Sequence, residues 1–522
     1  MDEPPTATPN ASVRTRRAVR WWPAAGIVVL AGGVLAAIWS SYGAQRQDRV
    51  VASYPVLLCA LGSLWVWLLL LSRVPWKTRL GVTGLLLALG AAGASLLRIR
   101  GVSGDIVPVL AWRWTQEPEA GLPAAMGEGG TVALEGGSAD YPQLLGPRRD
   151  GKIDGVVLAD DWSARPPREL WRQPIGAGWS GFAVVGGAAV TQEQRGEDEL
   201  VTCYDLRSGR LLWAHAERVR FSDPIAGVGP RATPTIDGGV VYACGASGVC
   251  VALDLASGRP VWARRVLEEL RAEPPPYGVA ASPLVLEDRV LVAGGRIGPT
   301  LVALRRDSGE TLWTSGEDRA AYSSPIAVEL AGRRQVLLFD AVAIAGYDLQ
   351  DGRPLWRQAW PESTEVASQP VVLPGDRVFA SSGYGVGGKL FQIERQPDGG
   401  YGVRRIWESL DLKAKFTDVV ERDGFLYGLD DGILTCVDAA DGRRRWKGGR
   451  YGHGQILLVG ERILVLGERG EIALVAASPD GYRELGRRPA LDGKTWNHPA
   501  LAGSHLLVRN DREAGCYELP LR

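Results

Sequence analysis

Residues Cys250 to Trp262 read CVALDLASGRPVW. Nearly the same statement returns as CYDLRSGRLLW ending at Trp213, VALRRDSGETLW at Trp313, GYDLQDGRPLW at Trp356 and CVDAADGRRRW at Trp446. Each copy has a run of strand character, then a glycine, then an indole four residues later. An acidic residue such as Asp254 ahead of the turn accepts backbone N–H bonds, and Gly258 supplies the positive φ of a tight strand-to-strand connection. The indole opens the next strand, where a ring of that size wedges against a neighbouring sheet. Burial of roughly 150–250 Å² per ring at about 25 cal/mol/Å² sets an upper bound of about 4–6 kcal/mol per contact.

The punctuating rings are Trp171, Trp213, Trp262, Trp313, Trp356, Trp407 and Trp446, with Leu485 at the next place, at intervals of 39 to 51 residues. That period is one four-stranded propeller blade. Each interval contains three further β-rich runs broken by Gly and Asp turns. Asn497 to Leu519 forms a last group of three runs with no outer strand after it, and the strand at Trp171 has no inner strands before it. The two ends complete one another. The sequence therefore predicts an all-β, eight-bladed propeller over residues 141–522, closed by a three-plus-one blade that removes the exposed sheet edges.

Ahead of the repeats lie three apolar stretches, about residues 21–40, 54–71 and 80–97. Each approaches the roughly 18–20 residues that a helix needs to cross hydrocarbon. Arg14, Arg16, Arg17 and Arg20 precede the first, and Arg73, Lys77 and Arg79 separate the second from the third. These positive segments are expected on the cytoplasmic side, and Arg46, Arg49, Arg98 and Arg100 weaken that bias without reversing it. The expected order is a cytoplasmic tail (1–20), three spans (21–98), a linker with Trp112 and Trp114 at the membrane surface (99–140), and the propeller outside, on the periplasmic face of a bacterial inner membrane.

Lys and Arg together number 59, as do Asp and Glu. No net field draws the chain to nucleic acid. The six cysteines lack zinc or haem spacings. Cys203, Cys436 and Cys516 each precede an acidic strand end by two residues and read as buried packing positions, whereas Cys244 and Cys250 flank a GASGV hairpin. Spacing alone leaves open whether that last pair is joined.

In a propeller the inner strands line the channel, and polar residues at their starts converge on one mouth. Around the ring these include Trp179, Ser180, Arg231, Ser282, Ser324, Gln369, Thr417, Asp418, His453, Gln455, Trp496, Asn497 and His498. Lys447 and Arg450 are expected as charge partners of a polar or anionic ligand there, and TQEQRGEDEL at 191–200 is expected to overhang the same face. The competing reading is that such residues bond one another and water, as buried polar strand ends must. The pattern singles out neither a catalytic residue nor a metal-ligand set.

YDLRSGRLLW, LDLASGRPVW and VDAADGRRRW resemble the tryptophan-docking repeat of the quinoprotein-type (PQQ-like) β-propellers. YPQLLGPRRDG at 141–151, GWSGFAVVGG at 178–187, TQEQRG at 191–196, WKGGRYGHGQ at 446–455 and GKTWNHP at 493–499 are similar to membrane-anchored PQQ-like repeat proteins of bacteria. The superfamily contains PQQ-dependent alcohol and sugar dehydrogenases and also the non-catalytic, BamB-like lipoprotein of outer-membrane assembly. The resemblance thus implies either an oxidoreductase using PQQ with calcium in the channel or a binding platform for an envelope protein or glycan. Asp418, Asn497 and Glu193 are the oxygen ligands a calcium ion would call on, but their spacing does not select them, and the adjacent-cysteine pair of the active enzymes is missing. The platform without a cofactor is the preferred expectation.

Overall fold

The computed structural model describes residues 18–41, 45–115, 140–361 and 365–522. It divides into an amino-terminal helical unit and a β unit, each described by itself. The tail at 1–17 and most of the predicted linker, 116–139, lie outside the described residues.

Three helices, α1 (Trp22–Ser40), α2 (Arg46–Leu71) and α3 (Trp76–Leu96), are long and apolar enough to cross a membrane. α2 starts eight residues before the predicted span and ends in a π-helical turn, Trp67–Leu71. The polar start is stabilised locally: Gln45 and Asp48 form a reciprocal capping box, and Arg46 pairs with Asp105 at 2.9 Å. The region just after α3, expected to be irregular, is an antiparallel hairpin of Leu97–Val102 and Pro108–Trp112. Its turn is held by Ser103, whose Oγ accepts the N–H groups of Asp105 and Val107, and by the Tyr54 hydroxyl bonding to the Ile106 carbonyl at 2.8 Å. Trp112 and Trp114 stack with centroids 5.0 Å apart.

Among the described residues the β unit contains eight sheets in which four strands follow one another as a meander, numbered here blades 1 to 8. Blade 1 is Ala183–Val185, Ala188–Arg195, Asp198–Asp205 and Leu211–Glu217. Blades 2 to 7 span 235–265, 284–315, 326–359, 371–409, 414–450 and 455–489. Blade 8 takes Ala500–Ala502, His505–Arg509 and Glu513–Glu518 from the end of the chain and Arg168–Pro174 from its start, Cys516 opposite Trp171. The two chain ends therefore share a blade, as the repeat count requires.

The docking geometry shows why the repeat is written as it is. Trp171, Trp213 and Trp262 each donate Nε1–H at 2.9 Å to a carbonyl in the turn of the following blade, from Leu206, Leu255 and Arg306; Trp407 and Trp446 do the same to Ala439 and Ser478. Asp254 Oδ1 accepts the Ser257 N–H at 2.9 Å and its hydroxyl, while Gly258 adopts φ +70°. That glycine has a second duty: a Cβ there would lie 2.6 Å from the Trp213 indole. The same holds for Gly209 under Trp171 and Gly442 under Trp407. Two sites depart from the rule. Trp356 donates instead to Gln335 of its own blade at 2.7 Å, because blade 5 has a long irregular hairpin where the repeated turn would be. Trp313 Nε1 finds no acceptor.

Candidate functional site: the channel and its mouth

Antiparallel meandering sends the connections between second and third strands, and those from one blade to the next, to one face of the disc. The other two turns go to the opposite face. The first is called here the loop face and the second, which carries the Asp and Gly turns, the turn face.

Where the inner strands begin, polar residues, most of them noted in the sequence and Thr233 standing where Arg231 was expected, form a girdle of hydrogen bonds from blade to blade. Gly181 N–H donates to Thr233 Oγ1 at 3.0 Å, Thr233 N–H to Ser282 Oγ and Ser282 N–H to Ser324 Oγ at 2.9 Å each. Ser324 N–H then donates to Gln369 Oε1 at 3.2 Å, and Gln369 N–H to Asp418 Oδ1 at 2.7 Å. Gln455 continues by donating to the carbonyls of Phe416 and Trp496, and Asn497 closes the circuit by donating to those of Gly178 and Ser180. A short polar side chain at a strand start thus stitches its blade to the previous one.

Asp418 Oδ2 lies 3.5 Å from His498 Nε2. Burial pushes the Asp418 carboxyl up, opposed by His498 and the Gln369 N–H, and pushes the His498 imidazole down, opposed by Asp418. Arg231 is buried, bonded to the carbonyls of Gly229 and Gly227 and set 4.6 Å over the Phe221 ring; burial lowers it to about 10. Aromatic rings cover the mouth: Trp496 lies 5.2 Å from Trp179 and 5.0 Å from Phe416, and Phe416 lies 5.0 Å from His453. Glu468 accepts Trp496 Nε1–H at 3.0 Å and the His453 N–H at 3.1 Å.

Lys447 and Arg450 stand elsewhere. Both are on the outermost strand of blade 6, Lys447 paired with Asp430 and Arg450 donating to the Asp431 carbonyl, so neither lines the channel. The 191–200 segment also differs from expectation: Thr191 to Gln194 are strand residues with buried side chains, and Glu193 accepts the Gly176 N–H, the Tyr204 hydroxyl and Arg195. Arg509 holds this seam between blades 8 and 1 by bonding to Thr191 Oγ1, Gln192 O and Gly176 O. Cys244 and Cys250, paired across their hairpin, form a disulfide. Cys203, Cys436 and Cys516 are buried thiols.

Sequence reasoning missed a plug. Asp140 binds the Gly186 N–H at the turn face, and residues 141–153 then loop into the channel from that side. Tyr141 pairs with Val184 of blade 1, Pro142 O accepts Ile236 N–H of blade 2, and Lys152–Ile153 runs parallel to Leu458–Val459 of blade 7. Lys152 meets Glu421 of blade 6 at 2.6 Å. At the top of the loop Arg149 donates to the carbonyls of Ser282 and Pro283 of blade 3 and to Gln143 Oε1. Burial without a carboxylate partner lowers its guanidinium to about 9. The channel is a cup that faces the loop side.

These residues do not fit PQQ with calcium. Asp418 accepts from the Gln369 N–H and faces His498, and Glu193 is held in the seam between blades 8 and 1, so of the three oxygen candidates Asn497 alone keeps its side-chain oxygen without a partner, and one amide oxygen does not make a calcium site.

Residues 197–448, just under half of the chain, match the family model described as outer membrane protein assembly factor BamB. Among solved structures the chain is similar to BamB from Moraxella catarrhalis, with 16% identity over 68% of this chain and 100% of that one and a TM-score of 0.51. It is also similar to a europium-containing methanol dehydrogenase (12% identity, 74% and 99% covered, TM-score 0.44) and to a quinohemoprotein alcohol dehydrogenase from Pseudomonas putida (12%, 74% and 81%, 0.46). No curated protein sequence matches the chain. The fold is an eight-bladed β-propeller preceded by three long apolar helices, with a match to the PQQ-like, BamB-type family model over residues 197–448.

Proposed function

We propose that the chain is a non-catalytic binding or assembly platform, anchored in a bacterial inner membrane by three spans with its propeller on the periplasmic side, where the loop face takes an envelope protein. The observation that carries this reading is the inequality of the two faces. The turn face carries the repeated turns and the plug, which enters there at Asp140, with Val157 and Leu521 exposed beside them. The loop face bears connections of differing length and exposes Ile225, Ile297 and Leu410 at 43%, 51% and 58%. Exposed apolar side chains on the one face free of repeats are what a protein partner buries. The assembly-factor description of the matched family supports the same reading. So do the arginines and lysines flanking the apolar stretches, which favour a cytoplasmic amino terminus.

The test is a pull-down of full-length protein from envelope membranes after photocrosslinking from Ile225 and from Leu410, alongside an assay for alcohol or sugar oxidation with PQQ and calcium. Crosslinks to one envelope protein from both positions support the platform. Turnover that requires PQQ overturns it in favour of a dehydrogenase.

A further inference from the structure

The mouth of the cup brings together two kinds of group that protein docking on the loop face leaves unused. One is the ring layer of Trp179, Trp496 and Phe416, with Lys494 Nζ 4.0 Å over Trp496 and 4.6 Å over Trp179. The other belongs to the starts of the inner strands of blades 6, 7 and 8. Thr417 Oγ1 follows Phe416, Asn497 Oδ1 and His498 Nδ1 follow Trp496, and Gln455 Oε1 belongs to the amide bridging the Phe416 and Trp496 carbonyls; all four atoms are buried without a hydrogen-bond partner. Leaving a buried polar atom unpaired is costly. Folded proteins leave few such atoms unmet, so these four call for a partner that the chain itself does not supply, ordered water or a ligand that displaces it.

The character of the four atoms selects the partner. The Thr417 hydroxyl donates and accepts, His498 Nδ1 does one or the other with its tautomer, and the two amide oxygens accept. A carboxylate or phosphate brings acceptors alone and leaves both amide oxygens unmet. An aliphatic side chain meets none of the four. A set of hydroxyls on neighbouring carbons, each donor and acceptor at once, meets all of them, and the C–H face of a pyranose is flat and apolar enough to lie on an indole. The rings, tilted at 38° and 56° to one another, form a platform for such a face.

We propose that the mouth between blades 6, 7, 8 and 1 is a saccharide-binding site, with a sugar ring on Trp496 and its hydroxyls paired to Thr417, Gln455, Asn497 and His498. It shares the loop face with the platform reading and deepens it by adding a ligand class. Because the four atoms are buried, sugar entry swings Trp496 away from Glu468, to which its Nε1 is bonded. Side-chain rotations of this kind are common on binding.

The experiment titrates full-length protein in nanodiscs with chitotetraose, maltotetraose and tetragalacturonate, reading indole fluorescence and calorimetry. At least one oligosaccharide is expected to bind below about 1 mM with a change in indole emission, a modest affinity in keeping with a single exposed mouth. Thr417→Val removes one hydroxyl without changing shape. It is expected to leave the melting temperature unchanged or raised while weakening that sugar about tenfold or more, because a site built to bond a hydroxyl loses heavily when one side is deleted. Trp496→Ala is expected to abolish binding, and Trp496→Phe to retain most of it. If none of the three sugars binds, or if Thr417→Val and Trp496→Ala bind like the parent, the inference is overturned. Should crosslinking from Ile225 still capture its protein in that event, the platform reading stands and this one alone falls.

Discussion

The two faces of the disc are made by one chain in one rhythm, yet they are built to opposite rules. On the turn face the same solution recurs, an acidic residue holding the turn and a glycine lying bare beneath the indole of the preceding blade. On the loop face the connections range from two residues to more than fifteen and carry different local structure. Residues 218–234 carry a small hairpin of Ser222–Asp223 with Gly227–Val228, the next connection opens with a helical turn at Val266–Glu269, and residues 410–413 cross in four. Repetition marks where the ring needs its blades held at a fixed angle. Variety marks where the scaffold is free to vary, which is where function is commonly placed.

The comparison breaks most completely if the ring can be opened without loss. Removing residues 497–522 strips three strands from blade 8, leaves Arg168–Pro174 unpaired and bares the apolar faces of blades 7 and 1. The truncated protein is expected to aggregate in size-exclusion chromatography; a monomer that melts like the parent would contradict the closure. Next in size is a single wedge. Trp213→Ala is expected to cost about 3–5 kcal/mol, and Gly258→Val a similar loss, because its Cβ collides with Trp213 at a positive φ. By contrast, Ile225→Ser on the loop face is expected to change stability by no more than about 0.5 kcal/mol while reducing partner capture. Chemical denaturation of the three variants side by side measures the inequality of the faces directly.

The plug gives an intermediate effect. Arg149→Leu leaves the carbonyls of Ser282 and Pro283 and the Gln143 oxygen without their donor, and is expected to lower stability by about 2–4 kcal/mol. An unchanged denaturation midpoint would mean that residues 141–153 merely fill the channel. The remaining effect is electrostatic. Burial raises the Glu199 carboxyl from 4.5 to about 7, against the opposing Ala246 N–H and Arg231. The folded state therefore holds this proton more tightly than the unfolded chain, and the associated stability is present below pH 4.5 and lost as pH rises through 7. Glu199→Gln is expected to match the parent at pH 5 and to melt about 1–3 °C higher at pH 8.

The blades are legible in the sequence because their signal is local and repeated: a glycine and an indole four residues apart recur whatever lies between them. The girdle is half legible. Its members, Ser282, Ser324, Gln369 and Asp418, are visible as polar strand starts, but their partners sit one blade away, and a pocket and a stitch look alike in one dimension. The plug and Arg509 give no such sign. Arg149 touches residues more than 130 positions away and Arg509 more than 310. Each reads in isolation as a solvated arginine at a strand end. Lys447 reads as a mouth residue through its nearness in sequence to His453, although the strand it occupies is the outermost of its blade. The glycines carry a second meaning that turn chemistry alone does not suggest, since the missing Cβ serves a ring arriving from another blade.

The central claim is that the loop face meets the partner while the turn face holds the ring together. Photocrosslinkers placed in turn at Ile225, Ile297 and Leu410 on one face, and at Arg207, Ala256 and Asp441 on the other, test it in envelope membranes. The account predicts adducts to a single envelope component from the first three positions and none from the second three; adducts from the turn-face positions alone would contradict it.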